Sequence, residues 1–586
     1  MNLDFVSRHC GYWWPLACQA RLTMGGTTLN QTIRPTHPRL AASRAARVAL
    51  LAALFAGAAG AAFAQETVAT APAAAGGPAD PRDAKLQALE AEVQVLAAQL
   101  ADLKAQTVTQ IQDVRASVPP KPSATLTLPN GAPTFSSADG QYTATLHGVL
   151  QFDAAAYNQG SAGPTSTDLR RDGPALGASA SNTDAGHARN LKDGDLFRRA
   201  RIGVDGTAMG NFEYRLLFDF GGTGVEDAGQ LYEGWIQYSG LNPAHLRIGA
   251  FAPSLGLADA NSTNGMPFLD RPSVEDIARN VVGGDTRTGA QAFAYGQNWF
   301  VSAAVAGRNV GVVSTNNVLP VSSTTTSITV GTAQTYSDPL GFTGRLTYNP
   351  FHGSDWLVHL GVHGSYLDRP ADANGPGTNG ATPISSYVVS LNGTPELRVD
   401  GTKLINTGNI DARHASTLGS EFAVQKQNLF FESEYEHFQV ERSDISSTPQ
   451  FNGWYAEGTW VITGEAKKYN ASTAAFDAPP VAHPFSPKDG GWGAWEIALR
   501  YSDMNLNYHA GNFGAAPSPD AIRGGDQSIF TAGLNWYPNP IIRFMLDFQH
   551  VRIDRLSPSA SAFLTPTGAQ IGQSYDSLAL RSQLAF

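Results

Sequence analysis

From Tyr142 onward, apolar and polar residues alternate with a period of two. Tyr142, Ala144, Leu146, Gly148, Leu150 and Phe152 share one parity, and Thr143, Thr145, His147, Gln151 and Asp153 share the other. Successive strand residues point to opposite faces, so this pattern predicts a strand with an apolar and a polar side. The same alternation recurs in Phe212–Phe220, Leu246–Ala250, Trp356–Val362, Trp495–Tyr501, Phe530–Trp536 and Ile542–Phe548. Aromatic residues gather at strand ends, and Gly, Pro, Asn, Asp and Ser stretches separate the strands. The last segment places Leu578, Leu580, Leu584 and the terminal Phe586 on one face, interrupted by Ser582. Ser577, Ala579, Arg581, Gln583 and Ala585 fall on the other. A strand of a soluble sandwich alternates too. The terminal aromatic carboxylate and the repetition over residues 141–586 instead predict an all-β, transmembrane antiparallel barrel of about 16 strands. A barrel of that size leaves an aqueous channel. The low-complexity stretches Gly160–Asn190 and Ser322–Ser337 read as external loops.

Ahead of the barrel the period changes. Leu86, Leu89, Val93, Leu96, Leu100 and Leu103 recur at steps of three and four, weaken at Thr107 and Gln110, and resume at Val114. This is an a/d seam, and it predicts a short coiled coil over residues 83–118, ended by Pro119-Pro120. One amphipathic helix packed on a larger domain is the alternative. So short a seam is marginal alone and needs an oligomer assembled elsewhere in the chain. Residues 65–82 and 119–140 read as linkers. Before them, Arg39, Arg44 and Arg47 precede the apolar, alanine-rich run Val48–Ala62, and Ala62-Phe63-Ala64 matches a signal-peptidase site. Residues 1–64 are therefore expected to be leader and signal peptide, with Met24 a candidate initiator.

Composition adds three constraints. Both cysteines, Cys10 and Cys18, lie in the leader, so the mature chain is expected to hold no disulfide or thiolate metal site. Removing residues 1–64 takes away six arginines and one aspartate, which leaves 34 basic and 49 acidic residues, a net charge of −15. That balance argues against nucleic acid as a partner. It also means that any anion preference must come from locally placed arginines.

Arginine does recur on the polar parity: Arg199, Arg201, Arg215, Arg247, Arg345, Arg500, Arg543 and Arg581 are each expected to face the lumen. A guanidinium stays charged and donates several hydrogen bonds to an oxyanion, and a series of them passes an anion along. The same face carries Glu213, Asp219, Glu233, Glu496 and Asp547, so wall-stabilising ion pairs compete with solute contact at every arginine.

Several segments in order carry a family resemblance: Phe197-Arg198-Arg199-Ala200-Arg201-Ile202-Gly203, Tyr214-Arg215-Leu216-Leu217-Phe218-Asp219-Phe220, Leu246-Arg247-Ile248-Gly249 and Gly344-Arg345-Leu346-Thr347-Tyr348. They continue with Pro395-Glu396-Leu397, Thr407-Gly408, Gly453-Trp454-Tyr455, Thr463-Gly464-Glu465, Trp495 to Ser502 and Leu534-Asn535-Trp536-Tyr537. Over nearly all of residues 141–586 the chain resembles the phosphate-selective porins O and P of Gram-negative outer membranes. The resemblance implies a trimeric 16-stranded barrel, a folded-in constriction loop, and an arginine ladder with a lysine cluster guiding phosphate. It also implies contact with outer-membrane lipid and lipopolysaccharide, and assembly by the barrel-assembly machinery through Phe586. The chain departs from the family at the lysines. Where many relatives carry lysine after Gly-x-Phe, Ala252 stands here. The barrel region holds only Lys192, Lys403, Lys426, Lys467, Lys468 and Lys488. Arg271, Arg279 and Arg287 could supply the lost charge at a constriction.

Other chemistry is weakly supported. His359 and His363 share a strand face but sit too far apart for easy chelation, so no metal is expected. No Ser/His/Asp set lies in a nucleophile elbow, and Gly221-Gly222 and Gly283-Gly284 precede no helical pattern. The expected function is passive, anion-preferring diffusion of phosphate or related oxyanions, with no catalysis and no cofactor. The alternatives are a general or weakly cation-leaning pore, and a barrel that anchors an envelope tether.

Overall fold

Antiparallel pairing closes sixteen strands on themselves. The computed structural model describes residues 81–117, 124–159, 191–222, 229–282, 286–310, 316–320, 327–331, 338–353, 355–372, 387–558, 567–568 and 570–586. The signal-peptide reading and most of the two external-loop readings lie outside them. The barrel strands, here β1–β16, are Thr143–Gln159, Gly194–Ala208, Phe212–Asp219, Gln230–Leu241, Ala244–Phe251, Arg287–Tyr295, Trp299–Asn309, Leu340–His352, Trp356–Arg369, Ile410–Lys426, Leu429–Arg442, Gln450–Val461, Ala494–Tyr508, Ile522–Tyr537, Ile542–Asp554 and Ser574–Ala585. Each pairs with its neighbours in sequence, and β16 returns to β1 with Leu580 opposite Ala154 and Arg581 opposite Asp153. With every described barrel strand paired on both sides, no backbone donor row of these strands is left facing lipid.

The period-two pattern sorts the side chains as expected. Leu578, Leu580 and Leu584 are exposed while Ala579, Arg581 and Gln583 are buried. Trp299, Trp356, Trp454, Trp460, Phe530, Phe544 and Phe548 add to the exposed apolar belt. The terminal Phe586 exchanges backbone hydrogen bonds with Gly148, 3.0 Å each way. A Cβ at Gly148 would lie 2.5 Å from the Phe586 ring. Gly148→Val is therefore expected to unseat the last residue and lower the yield of folded barrel, read as the heat-modifiable fraction on a gel.

Two features precede the barrel, and the first of them differs from the sequence reading. Ala124–Thr127 and Thr134–Ser137, inside the stretch read as a linker, pair with each other, and Thr134–Ser136 pair with Thr143–Thr145 of β1. Alternating Thr, Leu and Phe make this short segment compatible with a strand. Separately, residues 81–117 form one helix, α1 (Pro81–Ser117), in a unit of its own. Its seam residues Leu86, Leu89, Val93, Leu96, Leu100 and Leu103 are all more than half exposed in the single chain.

The lumen is not empty. The chain between β5 and β6 carries two helices, α2 (Leu257–Ala260) and α3 (Ser273–Val281), and crosses to the opposite wall. Its backbone bonds there: Leu269 N–H donates to Asp547 on β15 at 2.8 Å, and Leu257 and Ala258 donate to Glu434 on β11. Residues 388–408, between β9 and β10, and residues 469–476, between β12 and β13, also fold inward. Glu396 accepts from Ser502 on β13, and Ala474 O accepts from Arg345 on β8. Val274, Ile277, Ala278 and Val281 of α3 join Leu391, Ile405, Phe438, Phe451 and Ile529 in one apolar cluster.

Candidate functional site: a lumen cavity with five arginines

These inserted segments divide the eight expected wall arginines into two groups. Arg201, Arg215 and Arg247 line a cavity of about 600 Å³ bounded by β1–β7, and Arg271 and Arg279 of the crossing loop face it from the other side. Asp205, Glu233 and Asp259 supply its acidic side chains, and none of the six barrel lysines lines it. Ala252, at the position of the missing lysine, is part of the lining.

The cavity arginines differ in how they are held. Arg201 donates to Asp219 at 2.7 Å and lies 3.6 Å over the Tyr232 ring. Arg215 reaches Asp205 at 3.2 Å and Glu233 at 3.3 Å. Arg279 pairs with Asp259 and Asp276. Arg271 donates to the carbonyls of Ala258, Asp259 and Asn261 at 2.8–3.2 Å. Arg247 differs from Arg201, Arg215 and Arg279, which meet carboxylates. Its Nε and Nη2 donate to the neutral Gln237 amide at 2.9 and 2.7 Å, and the guanidinium lies 4.3 Å over Trp235. Among the described residues no carboxylate comes within ion-pairing distance of it. Its positive charge is therefore positioned but not cancelled by an adjacent counter-charge.

The other five wall arginines lie under the inserted chain and do not line this cavity. Arg345 makes a two-pronged contact with Glu421, 2.8 Å at each prong, with both side chains fully buried. Arg581 does the same with Asp153 at 2.6 Å and also donates to Leu269 O. Arg500 reaches Glu396 and the Asp270 carbonyl. Arg199 donates to Gln151 and Arg543 to Asn264 O. Arg287, offered as a constriction residue, is buried and donates to Arg279 O.

One arginine escaped the parity argument. Between Gln151/Phe152 on β1 and Arg199/Phe197 on β2 the register slips by one residue. The extra residue of such a bulge no longer alternates. Arg198 consequently joins Arg199 on the inside and donates to Asp270 at 3.0 and 3.2 Å. Burial pushes the Asp270 carboxyl up, but Arg198, Arg398, Arg581 and Arg199 outweigh burial and hold it well below the usual carboxylate range. A depressed value contributes stability that is complete above the ordinary aspartate range and lost progressively as pH falls below it. Asp270→Asn is expected to cost about 2 kcal/mol at pH 7, with the gap to wild type narrowing on acidification in thermal unfolding.

Residues 175–577 match the family of phosphate-selective porins O and P. Among characterised proteins, Porin O of Pseudomonas aeruginosa is 23% identical over 376 residues, which cover 63% of this chain and 79% of that protein. Among solved structures, an anion-selective porin from Comamonas acidovorans overlays with a TM-score of 0.40 at 12% identity, covering 76% of this chain and all of the other. The trimer form of OmpT, an outer membrane protein of Vibrio cholerae, gives 0.39 at 9% identity over 76% of this chain and 99% of that one.

Proposed function

The chain belongs to the phosphate-selective porin O and P family of the Gram-negative outer membrane, and we propose that it passes phosphate or related oxyanions through the cavity bounded by Arg201, Arg215, Arg247, Arg271 and Arg279. The observation that carries this is local charge. The chain is acidic overall, yet among the described residues this cavity is lined by five arginines against three acidic side chains, and no carboxylate lies within ion-pairing distance of Arg247. An anion entering it exchanges part of its hydration shell for guanidinium donors. Arginines on both the wall and the crossing loop let it move on rather than stay. Passage is diffusion down a gradient. The remaining predicted arginines, Arg199, Arg345, Arg500, Arg543 and Arg581, act as wall and loop anchors in this reading.

The protein works as a homotrimer in the same proposal, with the exposed apolar seam of α1 forming a short coiled coil that adds to contacts between barrels. Single-channel recording in a KCl gradient, followed by phosphate titration, tests the transport reading. A chloride-side reversal potential and block of chloride current by phosphate are the expected results. A neutral or cation-side reversal potential without block would sink it.

A further inference from the structure

Behind the crossing loop, away from the five-arginine cavity, lies a cluster of acids with one histidine. Glu275 is on α3, His363 on β9 and Glu434 on β11. All three are buried, and one ligand atom from each lies within 4.8 Å of the others. Glu275 is fully buried, and among the described residues neither of its carboxylate oxygens has a hydrogen-bond partner. A buried carboxylate without a partner is costly, so a counter-charge or a proton must compensate it. Its neighbours Glu434 and Glu436 are acids too.

The surroundings have the supports of a metal site. His363 Nδ1 contacts Glu421 at 2.8 Å, and Glu421 is itself fixed by Arg345 and by His359 at 3.0 Å. A carboxylate on one ring nitrogen sets the tautomer and leaves the other nitrogen as a donor to metal. That other nitrogen, Nε2, is hydrogen-bonded to Glu436, so an ion bound at Nε2 replaces that contact. Glu434 is held in place by Leu257 N–H, Ala258 N–H and the Tyr455 hydroxyl. Carboxylates joined by one imidazole suit a divalent cation such as zinc.

We propose that Glu275, His363 and Glu434 bind a divalent transition-metal ion, zinc or a metal of like chemistry, and so pin the crossing loop to the barrel wall. The ion joins α3 to β9 and β11, so it fixes the constriction without touching the solute path. Because the site is closed, loading belongs to the moment when the loop docks. This inference does not depend on what the channel carries.

The full-length protein, expressed in zinc-supplemented and zinc-depleted medium and extracted in detergent, gives the test. Metal analysis and thermal unfolding are read for wild type and Glu275→Gln. Roughly one zinc per chain is expected in supplemented wild type, with unfolding shifted upward against depleted protein. Glu275→Gln is expected to retain background zinc only and to show no shift. It is also expected to be at least as stable as depleted wild type, because it removes an uncompensated charge without breaking a bond, so misfolding does not confound the comparison. A proton shared between Glu275 and Glu434 would relieve the same repulsion. In that case wild type retains no zinc and the proposal fails. Equal zinc in the variant and wild type overturns it as well.

Discussion

Replacing Arg247 by alanine is expected to weaken phosphate block of the chloride current by roughly ten- to a hundredfold, since hydrogen bonds to a charged group are worth about 1.5–3 kcal/mol. The reversal potential in a KCl gradient should move toward the cation side at the same time. The prediction follows from how the guanidinium is held. Gln237 fixes its orientation through Nε and Nη2 without neutralising it, while Nη1 makes no hydrogen bond among the described residues. Trp235 supports one face of the plane. A solute anion can therefore take a pre-oriented donor without first displacing a carboxylate. Gln237→Glu provides an independent arm. It keeps the arginine but gives it a counter-charge on the same strand pair, and it should lose a comparable share of phosphate block. If either change leaves block and selectivity intact, Arg247 is not the contact that sets anion preference.

Most of the barrel could be read from the chain because alternation is a local signal. Leu580 and Arg581 declare their faces without any knowledge of the neighbouring strand. The parity of Arg201, Arg215 and Arg247 was legible for the same reason. Whether an inward arginine meets water or protein was not, because that depends on chain distant in sequence. Arg345 is covered by Thr473 and Ala474, and Arg500 by Asp270 and Glu396. The crossing loop did leave a trace. Val274, Ile277, Ala278 and Val281 recur at helical spacing, which marks a short apolar-faced helix, although nothing local says that it docks inside a barrel. Arg198 was hidden because one bulge residue shifts parity. The Glu275 cluster was hidden because its members come from a loop and two separate strands. His363 drew notice only for its spacing from His359, whereas its relevant neighbours are Glu421, Glu434 and Glu436.

Arg581→Ala is expected to destabilise the folded barrel by about 3–5 kcal/mol, the usual consequence of stranding one partner of a buried pair. Arg581 and Asp153 stand opposite each other where β16 meets β1, so their two-pronged contact spans the seam that closes the barrel. Both side chains are at most 3% exposed, and Asp153 has no second ion-pair partner among the described residues. The third Arg581 donor holds Leu269 O, so the change also loosens the crossing loop. Unfolding in denaturant and heat-modifiability measure the loss. Replacing both residues together, Arg581→Leu with Asp153→Leu, should recover most of it, because two apolar groups leave no buried charge behind. A single-variant loss below about 1 kcal/mol, the scale of an exposed pair, would mean that water reaches the seam. Conductance separates this role from solute guidance: Arg581 does not line the open cavity, so the fraction of Arg581→Ala that folds should keep its anion preference, whereas the Arg247 variant should fold normally and lose it.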